Sequence, residues 1–492
     1  MSQDFGIGGT LDEVYARALD ARDPRFDGVF FVGITSTGIY CRPICPARVS
    51  YPERRRFFTT AAAAERAGYR PCLRCRPELA PGRSTCDAVS RLAHAAASRI
   101  AAGALNGRGV ADLAGELGVG ERHLRRVLER EMGVSPIELA LTHRLLLAKR
   151  LLADTRLSVT RIAYASGFQS LRRFNAAFRE RYRLSPSELR RPDARAGRRD
   201  DLVRLSLAYR PPLDWAAMLA LLQHDAVRGI DGVAGDRYVS TVRVDGHVGA
   251  IVARDASCDA RARGATRHHV ELDVTPSLLP VLMPVLARAR HLFDLDAEPS
   301  VIDAHLAEGG LGRHVHAHPG VRVPGALDGF DVALRVLLRR TSRSQTAYES
   351  LAWRVTAALG DTIDVGLPSL HRLAPDARRV AGTDLHVLSS LGVHERDASI
   401  VVELARAVAA GRVRLEPGAD PSHVSRELAS IGVDEASAAL ILSRAAAWPD
   451  SLAAHDPTHS LTRRAERWRP WRAYAAMHLR LESTKAAKVL AG

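Results

Sequence analysis

Two cysteine pairs carry the most specific chemistry in the sequence: Cys41 and Cys45 in CRPIC, and Cys72 and Cys75 in CLRC. A C-x3-C followed by a C-x2-C puts four sulfurs on two turns that can converge on one ion. Four thiolates complete the tetrahedral shell of Zn²⁺ and leave no position for water, so the spacing alone describes a structural site. Paired cysteines in a cytosolic protein, as this one is expected to be, bind metal more often than they form disulfides. The other two cysteines, Cys86 and Cys258, are isolated and read as buried or incidental.

Side chains suited to nucleic acid follow. GVADLAGELGVGERHLRRVLEREMGVSPIEL sets Val110, Leu113 and Leu117 at helical spacing, turns at Gly118, and continues into a helix bearing Arg122, His123, Arg125 and Arg126. SVTRIAYASGFQSLRRFNAAFRERYRLSPSEL repeats the pattern, with a turn at Gly167 and then Gln169, Ser170, Arg172 and Arg173. Joined by the helix IELALTHRLLLAKRLLAD, two such units would place recognition helices in successive major grooves. Arg and Gln near a helix start can read base edges, while the other arginines grip phosphate. Phe174 and Phe178 read as core.

The charge distribution agrees. Of a net charge of +15, residues 1–200 carry 35 Lys and Arg against 21 Asp and Glu, which leaves +1 for the rest. Phosphate neutralisation is thereby expected in the N-terminal part, with a C-terminal part that binds DNA weakly, locally or not at all.

The elements that must position these groups fall into several units, because 492 residues exceed one core. GVFFVGITSTGIY reads as strand, turn, strand, and AAAAERAGY as a short helix closed by Gly68; together they make a small α/β unit. PELAPGRST and RPDARAGRRDD read as linkers. Residues 86–191 read as consecutive helices. LVRLSLAY and YVSTVRV…HVGAIVAR are strand-like, and residues 277–293 and most of 330–490 are helical. No apolar run approaches a bilayer span, and the N-terminus lacks a signal-peptide layout, so a cytoplasmic, nucleoid-associated protein with no membrane partner is expected.

TSTGIYCRPICPAR and RRRFFTTAAAAERAGYRPCLRCRPE resemble the methylphosphotriester repair domain of the Ada proteins over about residues 8–80. The resemblance implies bound Zn²⁺ and makes Cys41 both a ligand and the irreversible acceptor of methyl groups from DNA. It also aligns Thr37, Arg48 and Arg70 with backbone contacts; Pro46 stands where relatives often carry a basic residue. The paired helix-turn-helix, with Gly167, Phe168, Ser170, Phe174 and Phe178 in its signature, resembles AraC-type regulators. Residues 202 to about 490 resemble AlkA-type, helix-hairpin-helix 3-methyladenine DNA glycosylases through YRPPLDWAAMLALL, RHLFDLDAEP, HPGVRVPGALDGFDVALRVLL and RRAERWRPWRAYAAMHL.

The resemblances imply a multidomain, mainly α chain. A zinc methyl-acceptor domain spans 1–82, an all-α paired helix-turn-helix 86–192, an α+β AlkA-N-like domain 202–320 and an all-α glycosylase-like domain 321–492. In the last, several family positions are altered. The hairpin reads Leu428, Ala429, Ser430, Ile431, Gly432, which predicts loss of its preset turn. Asp434 replaces a pocket tryptophan, Ser451 occupies the catalytic aspartate's place beside Asp450, and Arg339, Arg340, Thr341, Ser342 and Arg343 replace a cleft-lining stretch.

The expected protein is a methylation-activated transcription factor. It would bind methylated backbone and promoter sites on double-stranded DNA, engage RNA polymerase and switch on repair genes, with a weak or inactive glycosylase half. The alternatives are a bifunctional protein that also excises alkylated purines, with Asp450 or Asp456 as the acid, and a plain regulator whose cysteines only hold the fold. No Pro-Cys-His-Arg string occurs, so the second methyl-acceptor domain of longer Ada proteins is not expected.

Overall fold

Aromatic and β-branched runs separated by glycine turns build the first unit. Strands β1 (Phe31–Ile34), β2 (Ile39–Cys41), β3 (Arg55–Phe58) and β4 (Arg70–Pro71) form a sheet in the order β3-β1-β2-β4. Helix α1 (Leu11–Asp20) packs on it through Tyr15, whose ring stacks on Phe30 at 4.3 Å. Helix α2 (Ala61–Arg66) begins where the Thr60 side chain accepts the Ala63 N–H, and chain reversal follows at Gly68. The computed structural model describes residues 11–82, 90–190, 202–257, 268–452 and 465–490, with side chains as far as 482. Cys86, Cys258, Asp456 and the charged segment 191–201 lie outside the described residues.

Seven helices follow: α3 (Arg91–Ala101), α4 (Val110–Glu116), α5 (Glu121–Met132), α6 (Pro136–Asp154), α7 (Val159–Ala165), α8 (Leu171–Tyr182) and α9 (Pro186–Leu189). Serine caps start the later ones. Ser135 and Glu138 form a reciprocal capping box on α6, and Ser158 and Ser170 cap α7 and α8. The second turn needs its glycine for two reasons. Gly167 has φ +88°, and any Cβ there would lie 2.5 Å from the Asn106 amide.

Beyond the linker, β5 (Val203–Ala208), β6 (Asp231–Ala234), β7 (Arg237–Val244), β8 (His247–Asp255) and β9 (His269–Val274) make an antiparallel sheet in the order β5-β9-β8-β7-β6. Helices α10 (Trp215–Asp225) and α11 (Leu282–Leu292) supply buried side chains to it. One apolar cluster runs from Leu145, Phe174 and Phe178 of the helix-turn-helix region into Leu205, Ile251, Leu272 and Phe293 of this layer. The helix-turn-helix region and the sheet therefore share a core.

The remaining helices are α12 (Pro299–Leu306), α13 (Gly312–Ala317), α14 (Gly329–Arg340), α15 (Gln345–Leu359), α16 (Ala377–Ala381), α17 (Leu385–Ser390), α18 (Glu395–Ala409), α19 (Pro421–Ile431), α20 (Glu435–Ala445) and α21 (Arg472–Leu490). Helices α14 to α20 enclose their own core around Phe330, Tyr348 and Leu428. The chain end turns back: Trp471 and Tyr474 pack with Ile302, Leu306 and Leu311.

That return buries a carboxylate. Asp294 accepts from Tyr474 Oη at 2.7 Å and from the Val323 N–H, and burial pushes it up to about 6. An acid raised in the folded state costs stability as pH climbs from its unfolded value of about 4 to about 6. Asp294→Asn keeps an acceptor for both donors and suits the residue's φ of +48°. Urea unfolding of the C-terminal half should show it about 1–3 kcal/mol more stable than the parent chain at pH 7, with the gain vanishing below pH ~4; a gain of equal size at every pH would contradict this origin.

Candidate functional site

The four cysteines expected to bind metal are brought together from two separate stretches. Cys41 ends β2, Cys45 sits on the turn after it, and Cys72 and Cys75 follow β4, which pairs parallel with β2. All four sulfurs lie within 4.8 Å of one another. The Cys72 N–H donates to the Tyr40 carbonyl at 3.0 Å, so one backbone bond ties the first pair to the second. A buried, all-thiolate set of four fits Zn²⁺, and the chain binds zinc here.

The four sulfurs are not equivalent. The Arg42 N–H points at Cys75 Sγ (3.4 Å), the Arg74 N–H at Cys72 Sγ (3.3 Å), and the Ala47 N–H serves Cys45. Among the described residues no backbone donor reaches Cys41 Sγ. Cys41 is also the one of the four that keeps partial exposure as a residue, although its sulfur faces the other three.

A clamp absent from the sequence reading braces the knuckle. Arg42 is buried, pairs through Nε and Nη2 with the Asp27 carboxylate, and donates from Nη1 to the Cys75 carbonyl at 3.2 Å. Its one sequence signal was its place next to Cys41; Asp27, fifteen residues away, gave none. Of the expected backbone contacts, Thr37 is exposed in the β1–β2 turn, Arg48 is exposed beyond Cys45, and Arg70 is half-buried on β4 opposite Ile39.

In the helix-turn-helix region Arg122, His123 and Arg126 stand exposed on α5, and Gln169, Arg172 and Arg173 are exposed at and just before the start of α8. Two expected contacts have other partners. Arg125 is paired with Glu121 one turn back at 2.6 Å, and the Ser170 hydroxyl accepts the Arg173 N–H as the cap of α8.

The glycosylase-like half departs from expectation at its hairpin. The turn survives, because α19 continues through Ala429 and Ser430 and Gly432 takes φ +95°, its N–H bonded to the Ala429 carbonyl. The altered side chains near it have partners. Arg340 on α14 pairs with Asp434 at 2.7 Å and with Asp397, and Asp434 also caps α20 through the Ser437 N–H. Arg340 and these caps hold Asp434 down at about 2. Arg339 lies over the Tyr348 ring at 3.9 Å and reaches Asp225, a buried carboxylate also met by Arg444 and Arg480. Thr341 and Ser342 turn their hydroxyls back onto the Leu338 carbonyl. Ser451 is buried and donates to the Ala439 carbonyl at 2.7 Å, while Asp450 is held by Arg472 (2.6 Å) and Arg469 (3.1 Å). Arg343 is exposed.

Among the described residues no helix is long and apolar enough to cross a membrane. Family models match in three places: the metal binding domain of Ada at residues 14–78, a helix-turn-helix domain at 113–192, and the AlkA N-terminal domain at 204–328. A probable bifunctional transcriptional activator/DNA repair enzyme AlkA of Mycobacterium tuberculosis is 32% identical over 486 residues, covering 94% of this chain and 95% of that one. The DNA-3-methyladenine glycosylase 2 of Escherichia coli is 28% identical over 287 residues, 56% of this chain and 95% of its own. The bifunctional transcriptional activator/DNA repair enzyme Ada of the same organism is 50% identical over 60 residues, 12% of this chain and 17% of its own. With its zinc knuckle, paired helix-turn-helix and AlkA-like half in one polypeptide, the chain belongs to the family of bifunctional transcriptional activator/DNA repair proteins that fuse Ada-type and AlkA-type parts.

Proposed function

We propose that Cys41 accepts a methyl group from DNA methylphosphotriesters and that the methylated chain activates repair genes through its helix-turn-helix pair. The observation that carries this reading is the inequality of the sulfurs. Hydrogen bonds to a thiolate stabilise its charge and blunt its nucleophilicity, so the one sulfur free of backbone donors is the most reactive of four otherwise equal ligands. Zinc, when bound, keeps the sulfurs deprotonated at neutral pH.

In the transfer, a Cys41 sulfur lone pair forms the S–CH₃ bond as the O–CH₃ bond breaks. The electron pair leaves on oxygen and restores the phosphodiester anion. No other group in the knuckle can take the methyl onward, so each chain acts once. Arg48 and Arg70 are suited to holding the flanking phosphates, and Thr37 to touching the backbone beside them. Arg122, His123, Arg126, Gln169, Arg172 and Arg173 offer the exposed groups for promoter DNA, and RNA polymerase is the partner an activator would engage.

The AlkA-like half is weak or inactive as a glycosylase in this reading. Excision needs an open pocket for a flipped base and a carboxylate beside the developing sugar cation. Here the Arg340–Asp434 pair occupies the substituted positions, Ser451 is neutral and satisfied by Ala439, and Asp450 is bound by two arginines. The competing reading, excision of alkylated purines with Asp450 as acid, draws support from the intact hairpin at Gly432.

Three measurements test these readings. After exposure to DNA carrying methylphosphotriesters, intact mass should rise by about 14 Da on Cys41 and Cys41→Ser should abolish transfer; a methyl found on Cys45, Cys72 or Cys75 overturns the assignment. Methylation removes one negative charge, so methylated chain should bind promoter DNA more tightly, with the gap narrowing as salt rises. Equal affinities at low salt would reject the switch. Release of 3-methyladenine should fall about 10²–10³-fold or more below that of an intact site; if release is found, its survival in Asp450→Asn shows that the acid lies elsewhere.

A further inference from the structure

The zinc knuckle is fastened to helix α6 at two buried polar junctions, and each adjoins one cysteine pair. In the first, the Glu65 carboxylate on α2 has no exposed side-chain surface and accepts from Tyr40 Oη (3.0 Å), Thr142 Oγ1 (2.8 Å) and Arg181 Nη1 (2.7 Å). Tyr40 directly precedes Cys41, Thr142 lies on α6, and Arg181 is near the end of α8. In the second, Lys149 on α6, 2% exposed, donates from Nζ to the Cys72 carbonyl (3.3 Å) and to Glu78 (2.5 Å). Arg76, next to Cys75, pairs with Glu78 at 2.9 Å and with both oxygens of Asp154 at 2.7 and 2.8 Å.

Apolar packing would hold two modules together as well or better, since a buried ion pair adds little net stability. Its distinguishing property is intolerance of displacement, because separating the partners strands a buried charge. The polar contacts here fall on the residues flanking Cys41 and Cys75 and on the Cys72 carbonyl. Their other ends lie on the helix that joins the two helix-turn-helix units and, through Arg181, on the second recognition helix.

We propose that Glu65 and Lys149 are positioning residues that transmit the state of the cysteine site to α6 and α8, so that the second helix-turn-helix is aligned only when the knuckle is intact. This rests on zinc binding by the four cysteines and not on methyl transfer to Cys41, so failure of either reading leaves the other testable.

The full-length chain, zinc-loaded or chelated, would be titrated with one fixed duplex of about 40 base pairs at low salt, and amide hydrogen exchange followed over residues 136–182. In the parent chain, chelation should weaken duplex binding about tenfold and speed exchange in α6 and α8. Lys149→Met should still bind zinc, yet its response to chelation should shrink below about twofold; Lys149→Arg, which keeps a charged donor for Glu78, should restore most of it. Thr142→Val with Asp154→Asn removes one contact from each junction with little change in volume, and decides the matter if Lys149→Met fails to fold. A full tenfold response in that double variant, or no change in α6 and α8 exchange when zinc is removed from the parent chain, overturns the proposal.

Discussion

Four sulfurs within 4.8 Å of one another set the terms for the N-terminal module. Four adjacent thiolates cannot coexist without a cation. A dication removes that conflict. The strands it joins are too short to pair on their own, three residues in β2 and two in β4. Metal binding should therefore be coupled to the folding of this segment. The same geometry makes one ligand different from the rest: a tetrahedral ion treats four thiolates alike, and only the backbone N–H groups around them break the equality.

The modules are not beads on a string. Leu145, Phe174 and Phe178 share a core with the antiparallel sheet, and the Ala62 side chain of the zinc module joins the apolar cluster of the first helix-turn-helix. Arg99 on α3 pairs with Glu416 of the glycosylase-like half at 2.5 Å, and Arg414 donates to the Glu116 carbonyl. A change in one part thus meets packed side chains in the next, which is the physical condition for coupling between sites.

In the glycosylase-like half, substitutions that look like independent losses in sequence form one arrangement in space. Arg340 and Asp434 stand 94 residues apart and pair directly. Arg340 also pairs with Asp397, and Asp434 also accepts from Ser437 at the start of α20, so the two belong to one charged cluster at the surface. The pair ties the end of α14 to the start of α20 beside the core that those helices enclose.

The sequence by itself determined what is written in spacing and local pattern. The two cysteine pairs, the glycine turns at Gly118 and Gly167, the serine caps and the run of helices were legible because each depends on neighbours a few residues away, where geometry follows from covalent connectivity. Residues flanking those motifs were legible only as exposed or charged, and the further roles of Ser170 as the cap of its own helix and of Arg125 as the partner of Glu121 left no separate mark in the sequence. The hairpin misled for a related reason: losing Pro and Gly removes a preset turn, but α19 could extend and let Gly432 close it. Only the tertiary structure decided that Arg42 meets Asp27, that Lys149 holds the Cys72 carbonyl, and that among the described residues no backbone donor reaches the Cys41 sulfur. Those facts depend on where distant segments come to rest, and burial converts an ordinary surface-type residue into a buried partner without leaving any mark in its local sequence.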